Sequence, residues 1–389
     1  MLNPKVTLIK GRAKPFWFGC PVVFSGSIAT VQGNPGQGDV VDLADDSGQM
    51  IGWGFYNPRS SYRVRIVGRA GDPETPDEII GEMIRRAWTL RRNCNLPNSD
   101  TNVFRLFNSE GDGLSGITID VFDRTAVVME SAFWTSGFRR QVAAAIIDCL
   151  GSDTDVLFRV VNSVRALEGM TAVDAGESAA GIVCENGLKF SCNPGHGQKT
   201  GFYADQRENR LGLRRFVRGA AVLDLFCFSG GFAINAVKGG AAEVTAVDSS
   251  AEAIEAGRAN ALLNGAGDVI NFVEDDAVRF LEQAGQYDVV VCDPPKLAQG
   301  RNAIEGAMKR YFRLNLLAIK AVRPGGMLLT CSCSSVVRRD DFVDMIRDAA
   351  GAVGRDIAIL NVAGTGPDHP VSPAWTEGEY LKAVTIVVR

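Results

Sequence analysis

From about residue 181 the chain alternates short apolar runs with helical patterns, and this alternation constrains the fold more than any other feature. Strand-like runs stand at 221–225, 243–247, 269–273, 287–292 and 327–330, and helical patterns at 232–237, 251–264, 277–283 and 304–322 separate them. Strands that are apolar without interruption must be covered on both faces, and a helix after each one provides the cover. The expectation is therefore an α/β chain whose C-terminal part, 181–389, is a parallel, doubly wound sheet with right-handed crossovers. Ligands of such sheets sit at the carboxyl ends of the strands, so the polar residues just after each strand matter most.

The rest of the chain has a different texture. Residues 1–70 read as an all-β barrel, with β-prone runs at 21–24, 39–43 and 61–67 punctuated by Gly33, Gly36, Gly38 and Gly48. A linker at 71–76 leads into a middle α+β domain, 71–180, with an amphipathic helix over 77–94, strands near 116–121, 126–131 and 156–161, and a helix over 138–150. Lys5, Lys10, Arg12 and Lys14 open the barrel, and Arg63, Arg65 and Arg69 alternate on its last strand. Such charges are either solvated surface or a phosphate-contacting face.

The formal net charge is −4, which excludes a general positive coat for nucleic acid. An RNA partner would have to be held by local basic patches. The nine cysteines are odd in number and show no zinc-ligand spacing, so free thiols in a reducing, cytoplasmic setting and no metal are expected. No signal-peptide pattern opens the sequence and no apolar run approaches the roughly 20 residues that span a bilayer.

Three acids close successive strands. Asp224 ends the first, before the turn Leu225-Phe226-Cys227-Phe228-Ser229-Gly230-Gly231. The spacing is not that of a dinucleotide fingerprint, and an acid at this point disfavours a pyrophosphate. It suits a cationic amino-acid ligand, and the methionine moiety of S-adenosylmethionine carries both an ammonium and a sulfonium. Asp248 ends the second strand, 24 residues after Asp224, an offset suited to ribose hydroxyls. Asp276, with Ala277 after it, ends the third, where a carboxylate can face an adenine amino group. Each acid alone is equally a helix cap. Three in order are harder to explain that way.

The fourth strand ends Asp293-Pro294-Pro295-Lys296, a stiff turn that would hold Asp293 beside a methyl donor. The fifth runs 328–334 and carries Cys331 and Cys333, two residues apart and so on one face of a strand. An acid plus a thiol suggests methylation of a pyrimidine at carbon 5. That carbon becomes nucleophilic once a thiolate has added to carbon 6. The plain alternative is that both cysteines are small buried residues, as is expected of Cys227 and Cys292. Lys296 is either an exposed charge or a contact to RNA.

With these motifs in place, the sequence resembles the bacterial 23S ribosomal RNA large-subunit methyltransferase I family, which makes 5-methylcytosine. The resemblance covers nearly the whole chain. It is carried by Leu8-Ile9-Lys10-Gly11-Arg12 and Val23-Phe24-Ser25-Gly26 (similar to a PUA domain), by Glu110-Gly111-Asp112-Gly113-Leu114, and by Asp293-Pro294-Pro295-Lys296 and Ser332-Cys333-Ser334. Its most specific part is Lys199-Thr200-Gly201-Phe202-Tyr203 with Asp205-Gln206-Arg207, and Asp368-His369-Pro370 and Glu377-Gly378-Glu379-Tyr380-Leu381-Lys382 close it. The resemblance implies Cys333 as nucleophile and Asp293 as its catalytic companion. It implies an S-adenosylmethionine site formed by Phe202, Gln206, Arg207, Asp224, Phe226, Ser229, Gly230, Asp248, Asp276, Ala277 and Asp293. Lys10, Arg12, Lys199 and Lys296 would meet ribosomal RNA, and a homodimer is allowed. It also puts His369 in a C-terminal loop near the sheet, and a lone loop histidine is more often structural than catalytic.

The sequence departs from the family at Cys331, where an apolar or aromatic residue is usual, and at Leu297, where an aromatic often follows the lysine. A two-residue slip would make Cys331 a rival to Cys333. Two other readings stay open: methylation of an exocyclic amino group through Asp-Pro-Pro, and an RNA-binding protein without catalysis.

Overall fold

The computed structural model describes residues 3–72, 75–172, 181–193 and 202–389. Lys199, Thr200, Gly201 and His196 lie outside the described residues. The chain divides into two compact units that do not follow chain order. One comprises Met1–Val183, Cys192–Ala204 and Pro367–Gly378, and the other Cys184–Ser191, Asp205–Gly366 and Glu379–Arg389.

The first unit contains a six-stranded sheet, curved as a β half-barrel, and a four-stranded sheet. The six-stranded sheet runs from Lys5–Leu8 to Tyr62–Arg69 around a core of Val6, Leu8, Val22, Val41, Leu43 and Ile66. Two helices, Pro76–Asn93 and Arg139–Leu150, accompany the four-stranded sheet. The first has Pro at its start, acids in its first turn and arginines in its last, each favourable to the helix dipole.

The alternating arginines of strand Tyr62–Arg69 do not form one solvated face. Arg65 is buried, with Nη2 2.9 Å from Glu168 Oε1, and Arg69 donates to the carbonyl oxygens of Phe16 and Cys20. The strand is packed on both sides, so its polar positions had to find partners inside the fold. His369 also belongs to this unit. It is buried next to Asp368, whose carboxylate accepts from the Arg105 N–H at 2.9 Å and whose carbonyl accepts from Arg91 at 2.7 Å.

The second unit is built on a seven-stranded sheet. Across the sheet the strands are Ile270–Glu274, Glu243–Asp248, Ala221–Leu225, Tyr287–Cys292, Val322–Ser332, Lys382–Val388 and Ile357–Ala363. Ala221–Leu225 is buried at every position and lies centrally, between Glu243–Asp248 and Tyr287–Cys292, both parallel to it. The chain winds outward from it in one direction and then returns to wind in the other. This reversal places a crevice at the carboxyl ends of Ala221–Leu225 and Tyr287–Cys292.

Two differences from the sequence reading bear on the site. The sheet is mixed, because Lys382–Val388 runs antiparallel to Val322–Ser332, with Lys382 opposite Ser332 and Ala383 opposite Cys331. The fifth strand also ends at Ser332 and not at 334, so Cys333 stands just past the strand end while Cys331 stays inside the sheet. Among the described residues, no helix is long and apolar enough to cross a membrane.

Candidate active site

The turn after Ala221–Leu225 is held by backbone bonds to the neighbouring strand. Cys227 N–H donates to Val247 O at 3.0 Å, and Phe228 N–H donates to Asp248 Oδ2 at 2.9 Å. Phe226 (φ +61°), Phe228 (φ +48°) and Gly230 (φ +81°) all adopt left-handed conformations. For a bulky aromatic this is an outlier that persists only where surrounding structure enforces it, and such strain clusters at ligand sites. Gly230 caps the helix Gly231–Lys238 in the conformation glycine adopts most freely.

Asp224 lies beneath this turn and is 1% exposed. Its Oδ2 accepts from Ala233 N–H at 2.9 Å, fixing the helix start to the strand. Its Oδ1 is buried and has no hydrogen-bond partner among the described residues. Burial, opposed by the Ala233 bond and reinforced by Asp293 and Asp248, raises the Asp224 pKa well above the ordinary carboxyl range. An unpaired buried carboxyl oxygen is costly, and a cationic ligand close to the turn would relieve that cost.

Asp248 is partly exposed; besides the Phe228 bond it accepts from Ser250 N–H at 3.0 Å. Asp276 is exposed and caps the helix Ala277–Gln283, with Oδ1 accepting from both Val278 and Arg279 N–H at 3.0 Å. Ala277 and Ser229 are buried, and Ser229 O accepts from Asn260 Nδ2 at 3.0 Å. Gln206 is buried and its Oε1 accepts from Asn209 at 2.6 Å. Arg207, also buried, donates from Nε to Glu208 at 3.1 Å. Phe202 is buried in the first unit. The residues at the first two strand ends fit S-adenosylmethionine: a buried acid with an open acceptor, and a half-exposed acid of the kind that takes a ribose diol.

On the other side of the crevice, Asp293 is half-buried at the end of Tyr287–Cys292. Pro294 carries a carbonyl 3.9 Å from the Cys333 Sγ, so the Asp-Pro-Pro turn and the thiol are neighbours. Cys333 is partly exposed, whereas Cys331 is fully buried. Burial pushes the Cys331 thiol far up, with the Asp293 charge adding to the effect. The same cause raises the Cys292 thiol to about 12 and the Cys227 thiol as well, so none of these three supplies a thiolate readily. The strand end therefore separates two cysteines that the dipeptide spacing left equivalent. Lys296 is exposed, and Leu297 packs against the core of the unit.

The sequence reading did not single out the network that holds this corner. Tyr311 OH accepts from Ser332 Oγ at 3.0 Å and lies 3.1 Å from Ser334 Oγ, and Ser334 Oγ accepts from Ala298 N–H at 3.1 Å. Lys382 is buried, and its Nζ donates to Ser334 O at 2.6 Å and Tyr380 O at 2.9 Å. Tyr380 OH in turn donates to Asp205 Oδ2 at 2.7 Å. Tyr380 and Lys382 belong to a stretch quoted in the family resemblance, which was their one signal. Tyr311 lies in a helix that reads as ordinary core.

In the first unit, Lys10 and Arg12 are exposed. Exposed Lys14, Trp17 and Phe18 follow them in the chain, the two aromatics being a feature composition had not marked.

A sheet of this order with acids at its first strand ends, in a chain that opens with a β half-barrel, defines an S-adenosylmethionine-dependent methyltransferase with a PUA-like domain. The S-adenosylmethionine-dependent methyltransferase family matches residues 169–368, and the PUA-like domain family matches 6–69. A ribosomal RNA large subunit methyltransferase I from Klebsiella pneumoniae is 35% identical over 394 residues, covering 98% of this chain and 97% of that protein. One from Escherichia coli is 35% identical, with 98% of each covered. The chain belongs to the ribosomal RNA large subunit methyltransferase I family. The same fold occurs in a solved chain described as a SAM-dependent methyltransferase from Streptococcus mutans, at TM-score 0.84, 20% identity and full coverage of both chains. A second solved methyltransferase, complexed with SAH, matches equally well.

Proposed function

We propose that this protein methylates carbon 5 of a cytosine in the ribosomal RNA of the large subunit, through a covalent adduct with Cys333. The observation that carries the reading is the position of Cys333: partly exposed, just past the strand end, against the Asp293-Pro294 turn, while every other cysteine at that edge is buried. The substrate class rests on the relatives' names and on 98% coverage of the chain by them.

Cytosine carbon 5 is too electron-poor to take a methyl group unaided. Attack of the Cys333 thiolate on carbon 6 forms an S–C6 bond and moves the C5=C6 pair into an enamine. Asp293, as a protonated carboxyl facing N3, would stabilise that adduct. When bound, S-adenosylmethionine would supply the electrophilic methyl group that carbon 5 takes. Loss of the C5 proton to solvent restores the double bond and expels the thiolate. The target base has to leave its stack to reach the strand ends. Lys10 and Arg12, with Trp17 and Phe18, would hold RNA by phosphate contact and stacking, and Lys296 would meet the RNA backbone. Lys199 is proposed for the same role from its place in the signature.

Amino-group methylation would require no thiol and would be served by an aromatic after the prolines, whereas the residue there is Leu297, packed against the core. Nucleoside mass spectrometry of ribosomal RNA from cells with and without the gene tests the product, with 5-methylcytidine expected to vanish. Loss of an N-methylated nucleoside instead would overturn the reading. RNA carrying 5-fluorocytosine should trap a Cys333–RNA adduct, because the C5–F bond cannot lose a proton.

A further inference from the structure

We propose that Lys382 is a positioning residue for this chemistry: its buried ammonium fixes the turn that carries Cys333 and supplies the positive charge that holds Sγ as a thiolate. The inference rests on Cys333 being the nucleophile. Its basis is geometric. Antiparallel pairing sets Lys382 directly opposite Ser332, one residue before Cys333. Two of the three N–H groups of Nζ donate to Ser334 O and Tyr380 O, so the ammonium grips the turn immediately after the thiol. Both acceptors are neutral carbonyls.

A buried ammonium is costly without an anion. Among the described residues, Cys333, Glu379 and Lys296 act on the charge of Lys382. Glu379 is paired at the surface with Arg339, and Lys296 opposes the ammonium. Tyr311 and the fully buried Cys331 also feel the charge of Cys333, and Asp293 acts on Cys331. Cys333 is thus the neighbour best placed to balance Lys382. Burial lowers the Lys382 pKa to about 8, and a negative Cys333 opposes that fall. Thiolate and ammonium therefore stabilise each other, and neutralising either weakens the other's charged form.

The test is the pH dependence of Cys333 alkylation by iodoacetamide, read on the Cys333 peptide by mass spectrometry, in the wild-type protein, Lys382→Met and Lys382→Arg. In the wild type the midpoint should lie below the ordinary thiol value of about 8.5. Lys382→Met, an apolar replacement of similar length, should raise it by about one pH unit, cutting alkylation at pH 7 by about tenfold, and Lys382→Arg should restore most of the shift. The same upward displacement should appear in the alkaline direction of the methyl-transfer pH profile, with S-adenosylmethionine affinity unchanged. A wild-type midpoint at or above about 8.5 overturns the inference even if Lys382→Met does not fold. An unchanged midpoint in folded Lys382→Met also overturns it. If Cys333→Ala kept full activity while the midpoints behaved as expected, the covalent reading would fall and the charge pairing would stand. If Cys333→Ala were inactive and the midpoints did not move, the nucleophile would stand and the role of Lys382 would fall.

Discussion

At or just past the carboxyl ends of Glu243–Asp248 and Ile270–Glu274, Asp248 and Asp276 are at least partly exposed and bonded to backbone N–H groups of their own turns or the adjoining one. Across the crevice, at the ends of Val322–Ser332 and Lys382–Val388, Ser332, Ser334, Tyr311 and Lys382 are buried and bonded to one another or to each other's carbonyls. The first region consists of separable, local devices. The second is one set of linked hydrogen bonds on the residues that flank Cys333. Ligand recognition can be added to a sheet one strand end at a time, whereas a reactive thiol has to be held by several elements at once.

The largest effect expected from this difference is at the thiols. Cys333→Ala should lower methyl transfer by at least roughly 10³-fold with S-adenosylmethionine affinity intact, while Cys331→Ala should cost stability and leave the rate within a few-fold. Single-turnover assays and calorimetry on both variants check this, and an active Cys333→Ala beside an inactive Cys331→Ala would reverse the assignment. Next comes Asp248→Ala, which loses the bond that braces Phe228 and the carboxylate proposed to take the ribose diol. Its Kd for S-adenosylmethionine should rise about 10- to 100-fold, or about 1.4–2.7 kcal/mol by calorimetry.

Tyr311→Phe removes the hydroxyl shared by Ser332 and Ser334 and should cost about 1–3 kcal/mol in urea unfolding. A double-mutant cycle with Ser334→Ala should be non-additive by more than about 0.5 kcal/mol; strict additivity would mean that the corner is not a network. The smallest effect is at Asp276. If it is mainly a cap, Asp276→Ala lowers stability by about 1 kcal/mol and changes cofactor affinity less than about threefold. A tenfold loss of affinity would make the adenine contact the larger role.

Much of this architecture was legible from local pattern. The apolar runs over 221–225, 243–247 and 287–292 coincide with or closely match the observed strands, because strands buried on both faces need continuous apolar residues. Asp224 and Asp248 lie in the last two positions of their strands, as read, whereas the third strand stops at Glu274 and Asp276 caps the helix that follows. The helix over 77–94 was visible from its amphipathic period and lies at Pro76–Asn93. The alternating arginines of the half-barrel misled: a strand packed on both faces looks the same in sequence as one with a wet face, and Arg65 is buried on Glu168.

By itself the sequence determined the class of sheet, the cofactor it suits and the turn that carries Asp293, since each depends on residues close together in the chain. Only the tertiary structure decided which cysteine is available and what surrounds it. Cys331 and Cys333 differ by where a strand stops, and Lys382 meets the Ser334 carbonyl across 48 residues of chain through antiparallel pairing. Register between distant strands is set by packing of the whole sheet, and no local spacing encodes it.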